Sequence, residues 1–205
     1  DGTRTLAFVD TERKLLKLQN RRLYNITYRY PELNFFESLS QNAILDGEII
    51  VLKDGKPAFD LLQKREHIES RSRINLLSKM IPAVYFVFDV LYTKEDEWIT
   101  DLPLIERRKI LKEIVNETNH IVITDYVRRK GKKFYYAVVE KGLEGVMAKK
   151  LDSRYHPGKR SKDWIKCKKR ETIDCIIVGY LEGEGEREEF FGCLLYTSPS
   201  PRDRG

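Results

Sequence analysis

Apolar positions along the chain fall into short runs, and the spacing of those runs predicts strands more often than helices. Residues 6–9 form a brief apolar run, and residues 14–19 (Lys-Leu-Leu-Lys-Leu-Gln) form a second. Residues 43–52 are long and β-branched, and Lys53-Asp54-Gly55-Lys56 behind them reads as a hairpin turn. The apolar, aromatic run 84–92 predicts a central strand. Shorter strands are predicted at 121–126, 145–150 and 164–168, and a further β-branched one at 173–180. Glu182-Gly183-Glu184-Gly185 then reads as a hairpin tip before a strand that starts at Phe190. Helical spacing occurs in three places. Residues 59–70 carry leucines and charges at helix period, and residues 104–116 form the clearest amphipathic helix, with Pro103 just ahead. Residues 132–141 form the third, stopped by Gly142. No internal repeat interrupts this order. Strands interleaved with a few helices predict an α+β fold of antiparallel sheets flanked by helices.

Composition narrows the class. The 205 residues are 41% hydrophobic and 34% charged, which fits a globular chain of one large domain or one domain and part of another. The longest apolar run, 81–92, is broken by Asp89, and a membrane span needs ~20 apolar residues. No membrane association is expected, and no signal-peptide pattern opens the chain. Cys167, Cys175 and Cys193 are too few and too scattered for a disulfide framework or a zinc knuckle. A reducing cytoplasm is therefore the expected location. Lys and Arg number 38 against 32 acidic residues, and the resulting charge of +6 leans towards a polyanionic partner.

Both ends carry expectations of their own. The chain starts at Asp1 rather than Met, and its first strand follows within a few residues, so residues are expected to be missing ahead of it. Residues 193–205 (Cys-Leu-Leu-Tyr-Thr-Ser-Pro-Ser-Pro-Arg-Asp-Arg-Gly) resemble the translation of a transposase adapter used in sequencing libraries. Read-through into such an adapter is the expectation; the plainer reading is a genuine Ser/Pro-rich tail. Setting this segment aside removes two basic residues and one acidic one, so the chain stays basic. A break at 170–172 divides an expected body, 1–170, from a β-rich stretch, 171–192.

Several short motifs carry candidate chemistry, each beside a plainer reading. Asp46-Gly47-Glu48 sits inside an apolar strand, where a carboxylate is costly to bury without a partner or a metal; a lone motif of this kind reads first as a turn or an edge. Lys166 and Lys168 flank Cys167, and on a strand they share one face. Two adjacent ammonium groups suit a phosphate, and they equally suit the solvated face of an edge strand. Glu144-Gly145-Val146-Met147-Ala148-Lys149 places a Gly between a carboxylate and a strand. Tyr155-His156-Pro157-Gly158-Lys159-Arg160-Ser161 is a basic loop leading to Trp164. His156 has no metal-ligand spacing to His67 or His120 and reads as a structural or surface residue.

The order of these motifs says more than any one of them. Asp1-Gly2-x-Arg4, Asp46-Gly47-Glu48, Phe88-Asp89, Glu144-Gly145-Val146 and Trp164-x-Lys166-x-Lys168 resemble the ordered motif series of covalent nucleotidyltransferases. More closely, residues 1–192 resemble the adenylation domain of ATP-dependent DNA ligases of the archaeal and bacterial type. Supporting stretches are Asn20-Arg21-Arg22 through Tyr30-Pro31-Glu32-Leu33, Phe59-x-x-Leu62-Gln63-x-Arg65, and Leu102-Pro103-Leu104-x-x-Arg107-Arg108.

The resemblance implies a nucleotidyltransferase (ATP-grasp-like) domain over 1–170 and the opening strands of an OB-fold over 171–192. It implies nick sealing in duplex DNA through a lysyl-AMP intermediate, AMP transfer to a 5′-phosphate, and attack by a 3′-hydroxyl. The family's first motif is Lys-x-Asp-Gly-x-Arg, so the nucleophilic lysine would precede Asp1 by two residues. Without it, the 205 residues are expected not to form the adduct. By the same resemblance Arg4, Glu48, Phe88, Lys166 and Lys168 bind ATP or AMP: Arg4 holds the nucleotide, Glu48 accepts from the ribose and Phe88 stacks on adenine. Phe88 reads equally as a plain core aromatic. Glu144, with Glu48, is the implied ligand set for Mg2+ or Mn2+, and Glu144, Lys166 and Lys168 the implied catalytic groups. Arg21 is implied to touch the DNA backbone. ATP rather than NAD is the expected AMP donor. A monomer that acts in replication, repair or recombination is implied, associated with the nucleoid of a prokaryote, with a sliding clamp as a candidate partner. RNA ligases and mRNA-capping guanylyltransferases share the motif order. A non-catalytic nucleic-acid-binding module shares the lysines but leaves Glu48 and Glu144 unexplained.

Overall fold

Alternation of buried and half-exposed positions builds the first strands. In the computed structural model, which describes residues 2–159, 161–169, 174–185 and 188–197, the chain opens with β1 (Thr3–Asp10) and β2 (Leu15–Asn20), paired antiparallel. β3 (Ala43–Lys53) pairs with the other side of β1. Asp54 and Gly55, both at positive φ, turn the chain into β4 (Lys56–Pro57), as the turn residues predict. Helices α1 (Phe59–Glu66) and α2 (Arg71–Met80) follow, then β5 (Ala83–Thr93), which pairs antiparallel with β3. β6 (Glu97–Trp98) doubles back on β5. After α3 (Leu104–Ile114), β7 (Ile121–Ile123) joins β5 in parallel. Together these strands make a seven-stranded sheet with β3 and β5 at its centre. The sheet is antiparallel, as expected, except at β7, for which α3 supplies the crossover that a parallel partner requires.

One face of the sheet is the core. Ala7 and Val9 of β1, Leu45, Ile49 and Val51 of β3, and Tyr85, Val87 and Val90 of β5 are buried there. Leu33, Phe35 and Leu39 from the segment after β2, Leu62 of α1, and Leu111 and Ile114 of α3 cover them. Two buried guanidinium groups tie that cover down. Arg65 bonds both carboxylate oxygens of Glu32 (2.7 and 3.2 Å) and the carbonyls of Ile81 and Arg29. Arg107, fully buried, bonds both oxygens of Asp89 at 2.8 Å. The supporting stretches read from the sequence thus turn out to be paired anchors between elements.

The opposite face carries Arg4, Glu48, Phe86 and Phe88 at partly exposed positions. Two bulges shape it. Pairing runs Gly47 with Val87 and then Asp46 with Asp89, so Phe88 is one residue in excess; it runs Leu45 with Val90 and then Ile44 with Tyr92, so Leu91 is a second. A bulge re-aims the side chains beside it, and here it sets Phe88 next to Asp89 above Asp46.

α4 (Gly131–Glu140) leads through Gly142, at positive φ, into β8 (Gly145–Lys149), which pairs antiparallel with β9 (Trp164–Lys168). α1 is shorter than its expected range, and α2 was not anticipated. In α2 only Ile74 and Ser78 are buried, while Leu76 and Met80 face outward, which blurs the apolar period. Among the described residues no helix is long and apolar enough to cross a membrane.

The chain divides into two units, residues 1–168 and 169–205. The expected break at 170–172 lies outside the described residues, as do Ile173, Arg160 and Ser198–Gly205. Within the second unit β10 (Ile177–Glu182) and β11 (Phe191–Tyr196) form an antiparallel pair. β11 crosses the expected adapter junction between Gly192 and Cys193, and all six of its residues are exposed.

Candidate active site

Asp46-Gly47-Glu48 lies in β3 between β1 and β5, which overturns its reading as a turn or an edge. Gly47 is there for space: a Cβ at this position would stand 2.5 Å from Cζ of Tyr85, whose ring crosses it on the core side. The Tyr85 hydroxyl donates to the carbonyl of Thr5 at 2.8 Å and so locks β5 to β1 across β3. Asp46 and Glu48 then point to the other face. Asp46 is fully buried, and its neighbour across the strands is the equally buried Asp89. Two buried carboxylates side by side require cations. Arg107 from α3 supplies one, as described. Arg4 from β1 supplies the other, with Nε donating to Asp46 Oδ1 at 3.1 Å and Nη2 to Oδ2 at 2.6 Å. That bond raises the guanidinium pKa further, so Arg4 stays charged.

Glu48 pairs across the sheet with Arg4 and accepts from the backbone N–H of Gly2 at 2.5 Å. Phe88 stands beside them, half-buried, with the Arg4 guanidinium carbon 5.8 Å from its ring centroid. It is not a plain core aromatic. Its edge meets Trp164 at 6.0 Å, and Trp164 in turn meets Tyr155 at 5.9 Å. Lys149 Nζ lies 4.2 Å from the Phe88 centroid and 3.7 Å from the Trp164 centroid. Burial pushes this ammonium down to about 8, against the opposing pull of Asp89 and Asp46.

The β8–β9 ribbon presents the remaining cations. Gly145 faces Lys168, Met147 faces Lys166 and Lys149 faces Trp164, so all six residues share one side. Gly145 has φ 148°, and a Cβ there would meet the Cys167 carbonyl. This explains the Gly that follows Glu144. Lys166 lies 3.7 Å from Glu144, and Lys168 forms an ion pair with the same carboxylate. The lysines therefore share one face, as expected, and Glu144 joins them from the strand's start.

Arg21 stands apart in an exposed turn. Asn20 builds that turn by accepting from the N–H groups of Arg22 and Tyr24 at 3.0 Å. Among the described residues no group of three or more His, Cys, Asp or Glu is placed to hold a metal ion. Glu144 offers a hard oxygen ligand beside the ammonium groups of Lys166 and Lys168, a setting that suits Mg2+, an ion that fills its shell largely with water and substrate oxygens. His156 faces Asp163 at 3.9 Å on the surface, the second of its two readings.

Sequence reasoning gave no role to Lys149, Tyr155 or Asp89. The period of two along β8 places Lys149 on the side of Lys166 and Lys168, and that signal was available. No local pattern marks Tyr155, which arrives from a loop more than a hundred residues after Asp46.

Comparison with known proteins fits this arrangement. The family described as the ATP dependent DNA ligase domain matches residues 1–168. A DNA ligase of Methanosphaera stadtmanae is 36% identical over 88% of this chain and 34% of its own length. One from Archaeoglobus fulgidus is 37% identical over 98% of this chain and 37% of its own. The chain thus spans about a third of the length of these relatives. Among solved structures, the ligase domain of LigD from M. tuberculosis superposes with a TM-score of 0.67 at 27% identity, covering 98% of this chain and 61% of that one. A mycobacterial DNA ligase D complexed with ATP and MES does so with 0.67 at 26%, over 98% and 60%. With motif geometry, family match and relatives in agreement, this chain belongs to the family of ATP dependent DNA ligase domains.

Proposed function

We propose that the chain is the nucleotide-binding and catalytic part of an enzyme that seals nicks in duplex DNA with ATP as AMP donor. The observation that carries this reading is the row of Lys149, Lys166 and Lys168 on one side of β8–β9, beside Phe88, Trp164 and Glu144. Cations in a row suit a polyanion, and an aromatic floor suits a flat partner; a nucleoside triphosphate is both. In this reading Phe88 stacks on adenine, and Glu48 and Arg4 hold the sugar and its phosphate. Lys166 and Lys168 leave Glu144 for the α-phosphate, where they stabilise charge that builds as the bond to pyrophosphate breaks. Glu144 with Glu48 would hold Mg2+ or Mn2+, which supplies charge neutralisation and orients the leaving group. Arg21 contacts the DNA backbone, where phosphate contacts set position without reading sequence. The relatives named DNA ligase favour DNA over RNA as the sealed strand.

Calorimetric titration of the 205-residue chain with ATP and Mg2+ tests the reading. ATP is expected to bind more tightly than GTP. Lys166→Ala and Lys168→Ala are each expected to weaken ATP about tenfold and to leave adenosine unchanged. Equal loss for ATP and adenosine, or no binding by the parent chain, would sink it.

A further inference from the structure

Arg4 presents a physical problem. Its side chain is 51% exposed, so packing does not fix its long stem, yet the site needs its guanidinium in one pose. Asp46 grips it on one edge only. Phe88 lies under it, and a further hydrogen bond comes from Tyr155: Arg4 Nη2 donates to the Tyr155 hydroxyl at 3.1 Å, and that hydroxyl donates to Asp46 Oδ2 at 2.8 Å. Arg4, Asp46 and Tyr155 thus close a ring of hydrogen bonds in which the phenol both donates and accepts. A tyrosine present only to satisfy a buried carboxylate would need its own bond to Asp46 alone.

Tyr155 is itself well anchored. Its backbone N–H donates to the Thr100 carbonyl at 2.8 Å. Its ring meets Trp164, and the guanidinium carbon of Arg107 lies 5.9 Å from its centroid. Two residues earlier, buried Ser153 accepts through its carbonyl from the N–H of Leu104 and from Arg107. Leu151 accepts likewise from the N–H of Ile105. These carbonyls satisfy the first turn of α3, which has no side-chain cap. The loop is therefore fastened to the same helix that holds Asp89. Burial, and then the neighbouring Asp46 carboxylate, push the phenol's pKa up, so it stays a neutral donor throughout the working range.

We propose that Tyr155 is a positioning residue for Arg4, and that the 151–155 loop is through it a working part of the nucleotide site. The inference rests on the proposed nucleotide role of Arg4, but the pose of Arg4 can be read without nucleotide. The test is Tyr155→Phe in the whole chain, which keeps the ring and its contacts with Trp164 and Arg107. Nitrogen-15 NMR of the arginine side chains reads the pose. The parent chain is expected to show a slowly exchanging Arg4 Nε–H signal that is lost in Tyr155→Phe. ATP affinity is expected to fall about three- to tenfold, the range of one hydrogen bond. In an Arg4→Lys background, where the guanidinium fork is gone, Tyr155→Phe is expected to add nothing. An unchanged Arg4 signal in Tyr155→Phe overturns the inference, as does a full additional loss in the Arg4→Lys background. If the parent chain binds no ATP while the Arg4 signal still depends on Tyr155, the proposed function falls and the positioning role stands.

Discussion

Lys149 is a lysine that burial carries away from its ordinary state. Two aromatic faces favour its charge, and burial opposes it. The folded chain releases this proton at about pH 8, while the unfolded chain holds it to about pH 10.4. Between those values the unfolded state binds more protons, so the contribution of Lys149 to stability rises with pH in that window. Below pH 8 both states are protonated and the cost of the buried charge stands in full. Asp46, Asp89, Arg4 and Arg108 act on the same ammonium, so the comparison must be made at a single site. Thermal melts of the parent chain and Lys149→Met from pH 7 to 10.5 are expected to diverge, with the rise missing in the variant. Parallel curves would mean that Lys149 titrates as an ordinary surface lysine.

At the scale of elements, buried ion pairs hold strand to helix. Arg107→Met leaves Asp89 charged and unpaired beside Asp46, and is expected to cost about 3–5 kcal/mol in urea unfolding. The double variant Asp89→Leu/Arg107→Met is expected to regain much of that loss, because the pair is replaced rather than broken. A double variant as unstable as the single one would show that packing around Arg107, not its charge, carries the effect. The long strands of the sheet were legible from the sequence because β1, β3 and β5 are apolar or β-branched runs. α2 was not, since a helix that buries two side chains carries little period. β6 was not either: two residues leave no pattern to read. The candidate site was read from motif order, which named Arg4, Glu48, Phe88, Glu144, Lys166 and Lys168 as expectations. It could not yield Tyr155, because a hydrogen bond between residues 46 and 155 leaves no local trace.

For the whole molecule, the core ends early. Every residue of its buried cluster lies between Ala7 and Ile121, and the described residues of 169–205 include none that is buried. A lone two-stranded hairpin is at best marginally stable in water. A chain ended after Lys168 is therefore expected to melt cooperatively, with a midpoint within a few degrees of the parent, and the isolated 169–205 peptide to show no transition. Circular dichroism checks both. A 1–168 chain that fails to fold would mean that the second unit supplies stability its own exposed strands do not suggest.

The bulges at Phe88 and Leu91 carry a consequence for how such a chain can change length. Each adds one residue to β5, so the strand's inward positions are odd-numbered up to Val87, even at Val90, and odd again at Thr93. One excess residue inverts the pleat and a second restores it. A single deletion in this stretch turns one end of β5 inside out, whereas a paired deletion leaves both ends facing as before but removes the offset that brings Phe88 and Asp89 together. Gaps in an alignment of related chains should therefore avoid these few residues altogether, and chains that have lost both should be found without the nucleotide chemistry.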